Sequence, residues 1–262
     1  MFADDSIMFL TGKNGDDLID IMNVEIVKVV EWLRVNKLSL NLKKTHFILL
    51  KKTRRKVFLR KDLIIDNVKI DYISKTKFLG VIIDEYLTFE HHIKFIKGKV
   101  SRGLGILHKC KRFLHENSLK QLYNSFIYPY LNYCIIVWGN TCQTHLLPLI
   151  RLQKRIIRMI SGVKKYDHTD PLFKNLHVLK FEEIYAYSLQ FLLYKFHHGI
   201  FSDFFTVNKA IHNHATRQTN LLHVHMTKSR LSSISVRRNG VRSFNYFYGI
   251  LNLDCTISCY KM

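Results

Sequence analysis

The chain has 262 residues, 47% of them hydrophobic, which is enough to bury a core as two units of ordinary size. Its 41 basic residues against 20 acidic ones give a net charge of +21, a self-repulsion that a polyanion relieves, so nucleic acid or an anionic membrane surface is the implied partner. No apolar run approaches the roughly 20 residues that a bilayer-spanning helix requires, and the N-terminus does not read as a basic leader followed by an apolar core.

Five cysteines (Cys110, Cys134, Cys142, Cys255, Cys259), odd in number and without CxxC spacing, read as reduced thiols. The expected location is intracellular, nuclear or cytoplasmic or both, and not secreted. His212-x-His214 and His223-x-His225 offer four metal-ligand positions, but alternating histidines arise by chance in a chain with fourteen. The charge is uneven. Acids outnumber bases seven to two from Met1 to Glu31, whereas Glu116 is the lone acid among fourteen bases from His91 to Lys165, and Phe204–Leu253 has no acid.

In chain order, residues 2–10 read as a hairpin, apolar on each side of Asp4-Asp5. "NGDD" (Asn14–Asp17) predicts a turn and helix start, and the helix runs to about Val35 with Leu18, Met22, Ile26, Val29 and Leu33 on one stripe. Strands are predicted at Thr45–Leu50, Leu63–Ile65, Val68–Tyr72 and Phe78–Ile83, with Asp66-Asn67 as a hairpin turn. Phe78-Leu79-Gly80 on its own reads as a buried strand with a glycine bulge.

After Leu87 the texture becomes helical, with predicted helices over Phe89–Leu114, Ser118–Trp138, His145–Ile160 and about Lys180–His198. Asn117 is the expected N-cap of the second and Gly162 the stop of the third, and Asp170-Pro171 opens a further segment as N-cap and N1. Pro129 and Pro148 predict a kink or break. The helix over His145–Ile160 carries Arg151, Lys154, Arg155 and Arg158 opposite Leu149, Leu152, Ile156 and Met159. That basic face suits a phosphate backbone, a membrane surface, a partner, or plain solvation. The last sixty residues are basic and weakly patterned. Within them "RRNGVRSFNYFYG" (Arg237–Gly249) places Arg237 and Arg238 beside Phe244, Tyr246, Phe247 and Tyr248, which fits either base stacking with phosphate contacts or the core of a small C-terminal unit.

Two Asp-Asp pairs invite comparison. Asp16-Asp17 falls in a helix's first turn, where the dipole stabilises acids without any function. Asp4-Asp5 interrupts an apolar run and is therefore the candidate metal-binding turn.

"FADD" (Phe2–Asp5), "WLRVNKLSLNLKKT" (Trp32–Thr45) and "KFLGVIID" (Lys77–Asp84), in this order and spacing, resemble three consecutive motifs of reverse transcriptases. "LTFEHHI" (Leu87–Ile93), "LYNSFIYPYLNYCIIVWG" (Leu122–Gly139), "LQKRIIRMISG" (Leu152–Gly162), "DHTDPLF" (Asp167–Phe173) and "HNHATR" (His212–Arg217) resemble blocks of Jockey-like, LINE-type retrotransposon polymerases. The resemblance implies that Asp4 and Asp5 are aspartates of the catalytic palm hairpin and the metal ligands. It matches Lys44 to a lysine that donates a proton or positive charge to pyrophosphate, and Phe78, Leu79 and Gly80 to the primer grip. It also implies Mg²⁺ or Mn²⁺ in the complete enzyme, an RNA template and a DNA primer or target. In that family a third acid lies upstream of the hairpin, with the fingers and the nucleotide-binding half of the palm. The expectation is therefore a cut polymerase that holds no metal firmly and is inactive alone.

The expected fold is α+β and helix-rich: a partial palm of a small antiparallel sheet plus a helix over 1–88, a helical thumb over 89–200 and a basic C-terminal region over 201–262. The expected function is part of an RNA-directed DNA polymerase. The alternative is a non-catalytic, basic nucleic-acid-binding module, a retrotransposon relic that makes no use of Asp4-Asp5.

Overall fold

A computed structural model describes residues 6–51, 59–199, 205–211, 221–224 and 235–247. It is helix-rich with small two-stranded sheets, consistent with an α+β fold, and it divides into two compact units between Leu87 and Thr88. The Asp4-Asp5 turn lies outside the described residues. Ser6–Leu10, the described arm of the expected hairpin, forms no strand: within the described residues nothing pairs with it, and a strand without a ladder has no fixed geometry.

The first unit is built on α1 (Gly15–Val35). Asn14 caps it by accepting from the Asp16 backbone N–H at 3.2 Å, and Asp16 and Asp17 occupy the favourable first turn. Its buried stripe is centred on Ile19 and Val30, with Met22 and Ile26 between them. This is a rotation from the predicted Leu18–Leu33 stripe, because the partners Leu63, Ile65 and Ile70 approach from that side. Asn23 fixes the approach by using both ends of its amide. Its Nδ2 donates to the Asp62 carbonyl at 3.1 Å, and its Oδ1 accepts from the Ile64 N–H at 2.9 Å.

Among the described residues, short strands follow: β1 (His46–Phe47), β2 (Ile64–Ile65), β3 (Val68–Lys69), β4 (Asp71–Tyr72), β5 (Lys75–Phe78) and β6 (Val81–Asp84). β1 runs parallel to β4, while β2–β3 and β5–β6 are antiparallel hairpins. Asp66-Asn67 does turn the first hairpin, with φ of 49° and 62°, the left-handed pair of a two-residue primed turn that Asp and Asn tolerate.

The second unit contains α2 (Glu90–Cys110), α3 (Glu116–Phe126), α4 (Tyr128–Asn132), α5 (Ile135–Trp138), α6 (Gln143–Ile160), α7 (Asp170–Asn175), α8 (Phe181–His197) and α9 (Val236–Phe247). The single helix predicted over Ser118–Trp138 is thus three. It begins at Glu116 with His115 as N-cap in place of Asn117, and it breaks at Ile127 so that Pro129 enters the first turn of α4. Cys134, at φ 50°, separates α4 from α5. Pro148 does not end α6. The carbonyl its missing N–H would have bonded belongs to Thr144, which is exposed to water. Gly162 closes α6 as expected. At φ 70° it lets its own N–H reach Met159 O and the Val163 N–H reach Arg158 O. α7 has Thr169 as N-cap, one residue earlier than predicted.

α2 packs on α6 and on α3, and the approach to α3 is close at Gly103, where a Cβ would lie 2.7 Å from Ile127 Cγ1. The buried residues of α6 are Leu146, Leu149, Ile150, Gln153, Ile156, Ile157 and Ile160, and the predicted Leu152 and Met159 are only half-buried. α9 packs Val241 and Phe244 against Leu189 and Leu193 of α8, so the described part of the basic C-terminal region is a packed element and Phe244 is core.

Gln153 is 1% exposed and fully used. Its Nε2 donates to Tyr123 Oη (2.9 Å) and to the Leu179 carbonyl (3.0 Å), and its Oε1 accepts from the Phe181 N–H (3.0 Å), an otherwise orphaned donor in the first turn of α8. Burial pushes the Tyr123 hydroxyl up to about 12. Gln153→Leu removes all three bonds and is expected to lower the stability of this unit by about 2–4 kcal/mol in urea unfolding.

His92 is buried edge-on against Trp138, with ring centroids 5.4 Å apart, and burial pushes its pKa from 6.5 down to about 4. Between those values the unfolded chain takes up a proton that the folded chain refuses. Stability is therefore full above pH 6.5 and declines as pH falls towards 4. Unfolding midpoints measured across this window should show the decline, and His92→Leu should flatten it.

Candidate nucleic-acid interface

In the first unit, the β5–β6 register pairs Phe78 with Val81, so Leu79 and Gly80 alone make the turn, at φ 43° and 84°. The expected continuous strand with a glycine bulge is therefore a two-residue hairpin. Gly80 takes the left-handed conformation freely, whereas Leu79 carries a Cβ into it at a penalty. Lys44 lies exposed in the turn Asn41–Thr45, held by the Lys44 and Thr45 N–H groups on the Asn41 carbonyl at 3.0 and 3.1 Å. His46 connects these segments. Its Nδ1 meets the Lys44 carbonyl at 2.9 Å and its Nε2 meets Thr76 Oγ1 at 2.6 Å, so the strand after Lys44 is tied to the strand leading into Phe78.

Beside them is a cluster that the sequence did not reveal. Lys51 Nζ is 2.9 Å from Glu85 Oε2 and 3.3 Å from Tyr72 Oη, the Tyr72 hydroxyl donates to the same carboxylate, and the Lys51 N–H donates to the Glu85 carbonyl at 2.8 Å. Hydrogen bonds from Tyr72 and then Lys51 hold the Glu85 pKa down, the Glu85 bond raises Lys51, and burial raises Tyr72. This hydrogen-bond network clamps the end of β1's segment to β4 and to the end of β6. Its members lie 13 and 34 residues from Glu85, with no periodicity to signal them.

In the second unit, α6 presents Arg151 and Arg155 to solvent, with Lys154 and Arg158 half-buried on the same face. Arg158 also has a structural duty, since its Nε donates to the Asp167 carbonyl at 2.8 Å. The Asp167 carboxylate in turn accepts from the Lys164 N–H at 2.8 Å. Among the described residues no group of three or more His, Cys, Asp or Glu side chains is placed to hold a metal ion, and no helix is long and apolar enough to cross a membrane.

No family model matches the chain, and no solved structure matches it. Curated proteins do. The probable RNA-directed DNA polymerase from transposon X-element of Drosophila melanogaster is 25% identical over 198 residues, 72% of this chain and 21% of that protein. The RNA-directed DNA polymerase from mobile element jockey of Drosophila funebris is 30% identical over 115 residues, 42% of this chain and 12% of that one. Its homologues are non-LTR retrotransposon polymerases. A retrovirus-related Pol polyprotein from a type-1 retrotransposable element R1 of Nasonia vitripennis is also similar, at 28% over 148 residues, covering 52% of this chain and 35% of that protein. The chain spans about a fifth of the X-element polymerase and about an eighth of the jockey polymerase.

Set beside these polymerases, the sequence-derived residues fall into separate groups. Lys44 and Phe78-Leu79-Gly80 share the first unit, and the α6 cations share one helix face. Arg237 and Arg238 belong to α9, whose core residues Val241 and Phe244 cluster with Leu189 and Leu193 of α8 among the described residues. Arg237 is exposed; Arg238 is half-buried, with its Nε shielded from solvent and without a partner among the described residues. Phe244 is unavailable for stacking, whereas Tyr246 is exposed.

Leu79→Asn relieves the left-handed penalty while keeping the turn. It should stabilise the first unit by about 1 kcal/mol, read as a higher urea midpoint at unchanged slope.

Proposed function

We propose that this chain is the palm-to-thumb part of a LINE-type retrotransposon reverse transcriptase, the first unit contributing palm elements and the helical unit the thumb. One observation carries the reading: the similarity to the X-element polymerase extends over 198 residues, longer than either unit, so it runs through both. The charge of +21, concentrated in the helical unit, agrees with a polyanionic substrate.

On this reading Asp4 and Asp5 hold Mg²⁺ or Mn²⁺. Adjacent carboxylates supply the hard oxygen donors such ions prefer, but two of them do not complete an octahedral site, and a third acid comes from a part of the polymerase outside this chain. When bound, the ions lower the pKa of the primer 3′-hydroxyl and neutralise charge on the leaving pyrophosphate. Lys44 supplies a proton or positive charge to that pyrophosphate. The Phe78-Leu79-Gly80 turn holds the primer end, and Arg151, Lys154, Arg155, Arg158, Arg237 and Arg238 engage phosphates of template and primer. Phosphoryl transfer depends on positioning and electrostatics, so this chain alone does not extend a primer.

Primer extension with Mg²⁺ or Mn²⁺, comparing this chain with the same chain joined to the upstream portion of a polymerase, tests the reading. The expected outcome is activity only in the joined protein, abolished by Asp4→Ala. Activity of the chain alone that Asp4→Ala abolishes would overturn the dependence on upstream elements. A joined protein indifferent to Asp4→Ala would overturn the catalytic role and favour the non-catalytic module.

A further inference from the structure

The turn that follows α6 is built around one exposed aromatic ring. Tyr166 is 86% exposed, the highest value of any large hydrophobic side chain among the described residues. Its backbone is nevertheless held on both sides. The Gly162 closure of α6 starts the turn, the Asp167 N–H reaches the Lys164 carbonyl at 3.2 Å, the Asp167 carboxylate receives the Lys164 N–H at 2.8 Å, and Arg158 Nε grips the Asp167 carbonyl at 2.8 Å. Thr169, two residues on, is buried at the N-cap position of α7. An apolar ring presented to water on so braced a turn gains nothing from folding.

The surroundings are cationic. Lys165 Nζ stands 5.5 Å from the Tyr166 ring centroid, over one face, and the ring's exposure leaves the other open. Arg158 uses one of its five N–H donors on Asp167 and so brings its positive charge to the turn. Arg155 and Arg151 continue the same face of α6 at steps of about 4.5 and 6 Å along the axis, given 1.5 Å per residue. A line of charge thus runs along α6 and ends at an aromatic ring. A duplex would engage the charges but has no unstacked base to offer the ring. A single strand engages both, its phosphates along the helix and a splayed base on the tyrosine.

We propose that Tyr166 is a stacking platform for an unpaired base, and that Arg151–Arg155–Arg158 with the Lys164-Lys165 turn form a single-strand-selective site, an inference that rests on the reading of the chain as a nucleic-acid-binding polymerase part. The site recognises chemistry common to RNA and DNA single strands, a π-face beside a phosphodiester.

The test is fluorescence anisotropy of the full chain with a fluorescein-labelled oligothymidylate and with a duplex of equal length, across a salt series. Tyr166→Ala should weaken single-strand binding by about 5- to 150-fold, the loss of one stacked base, and leave duplex affinity and the slope of log K against log salt unchanged. Tyr166→Phe should retain single-strand affinity. Arg151→Ala with Arg155→Ala should weaken both ligands and make the salt slope shallower. Equal weakening of both ligands by Tyr166→Ala, or none, while the arginine pair still matters, would overturn the stacking site and leave the nucleic-acid reading standing. Binding of neither oligonucleotide by the unaltered chain would overturn both. Far-ultraviolet circular dichroism of each variant separates misfolding from lost contact, and Tyr166→Trp supplies a second readout, fluorescence quenching by the single strand but not by the duplex.

Discussion

One buried amide organises the helical unit. Gln153 sits on the inner face of a helix whose outer face is arginine, and each of its polar atoms is matched: two donations, one acceptance, to α3, to the Leu179 carbonyl and to the first turn of α8. A polar group in a low-dielectric interior is costly if any bond is missing and directional if all are present. The apolar stripe of Leu146, Leu149, Ile150, Ile156, Ile157 and Ile160 turns one face of α6 to the core, and the amide adds a directional constraint that apolar contacts lack. The same rotation leaves Arg151 and Arg155 in solvent.

The first unit uses the same device on a smaller scale. Its strands are two to four residues long and cannot define a sheet by length. Position is supplied instead by side chains that bridge elements: Asn23 between α1 and β2, His46 between β1 and β5, and the Lys51–Tyr72–Glu85 network at the far end. Arg34 adds an ion pair to Asp66 in the first hairpin turn at 2.7 Å, exposed and therefore a minor contributor. Where backbone ladders are short, these polar bridges carry the register.

Much of this was legible in the sequence wherever the signal is local. The start of α1 at Asn14–Asp17, the Asp66-Asn67 turn and the stop of α6 at Gly162 each depend on residues within one turn of one another. The misses have a common cause, which is dependence on contacts distant in the chain. α3, α4 and α5 read as one apolar-periodic helix because periodicity continues through Ile127; Pro129 marked a break in it, but the place of that break, with Ile127 packed against Gly103 of α2, depends on a contact distant in the chain. Gln153 gave no signal in the sequence, since its partners lie 26 to 30 residues away. The Leu79-Gly80 turn was hidden by apolar residues on both sides. The aromatics of α9 were ambiguous between stacking and core, and the contact of Phe244 with α8 decides that residue.

Helices α6 and α7 end with the same pattern of hydrogen bonds but at different expense. After α6 the left-handed position is Gly162. After α7 it is His177, at φ 49°, with its N–H on the Lys174 carbonyl and the Val178 N–H on the Phe173 carbonyl, both at 3.0 Å. A side chain at that position costs about 1 kcal/mol relative to glycine. The backbone closure of α7 therefore stores an unrealised margin of stability on the surface, away from the buried core and from the arginines of α6. A protein engineer could draw on it to make a sturdier chain for biochemical work while leaving its interior unaltered.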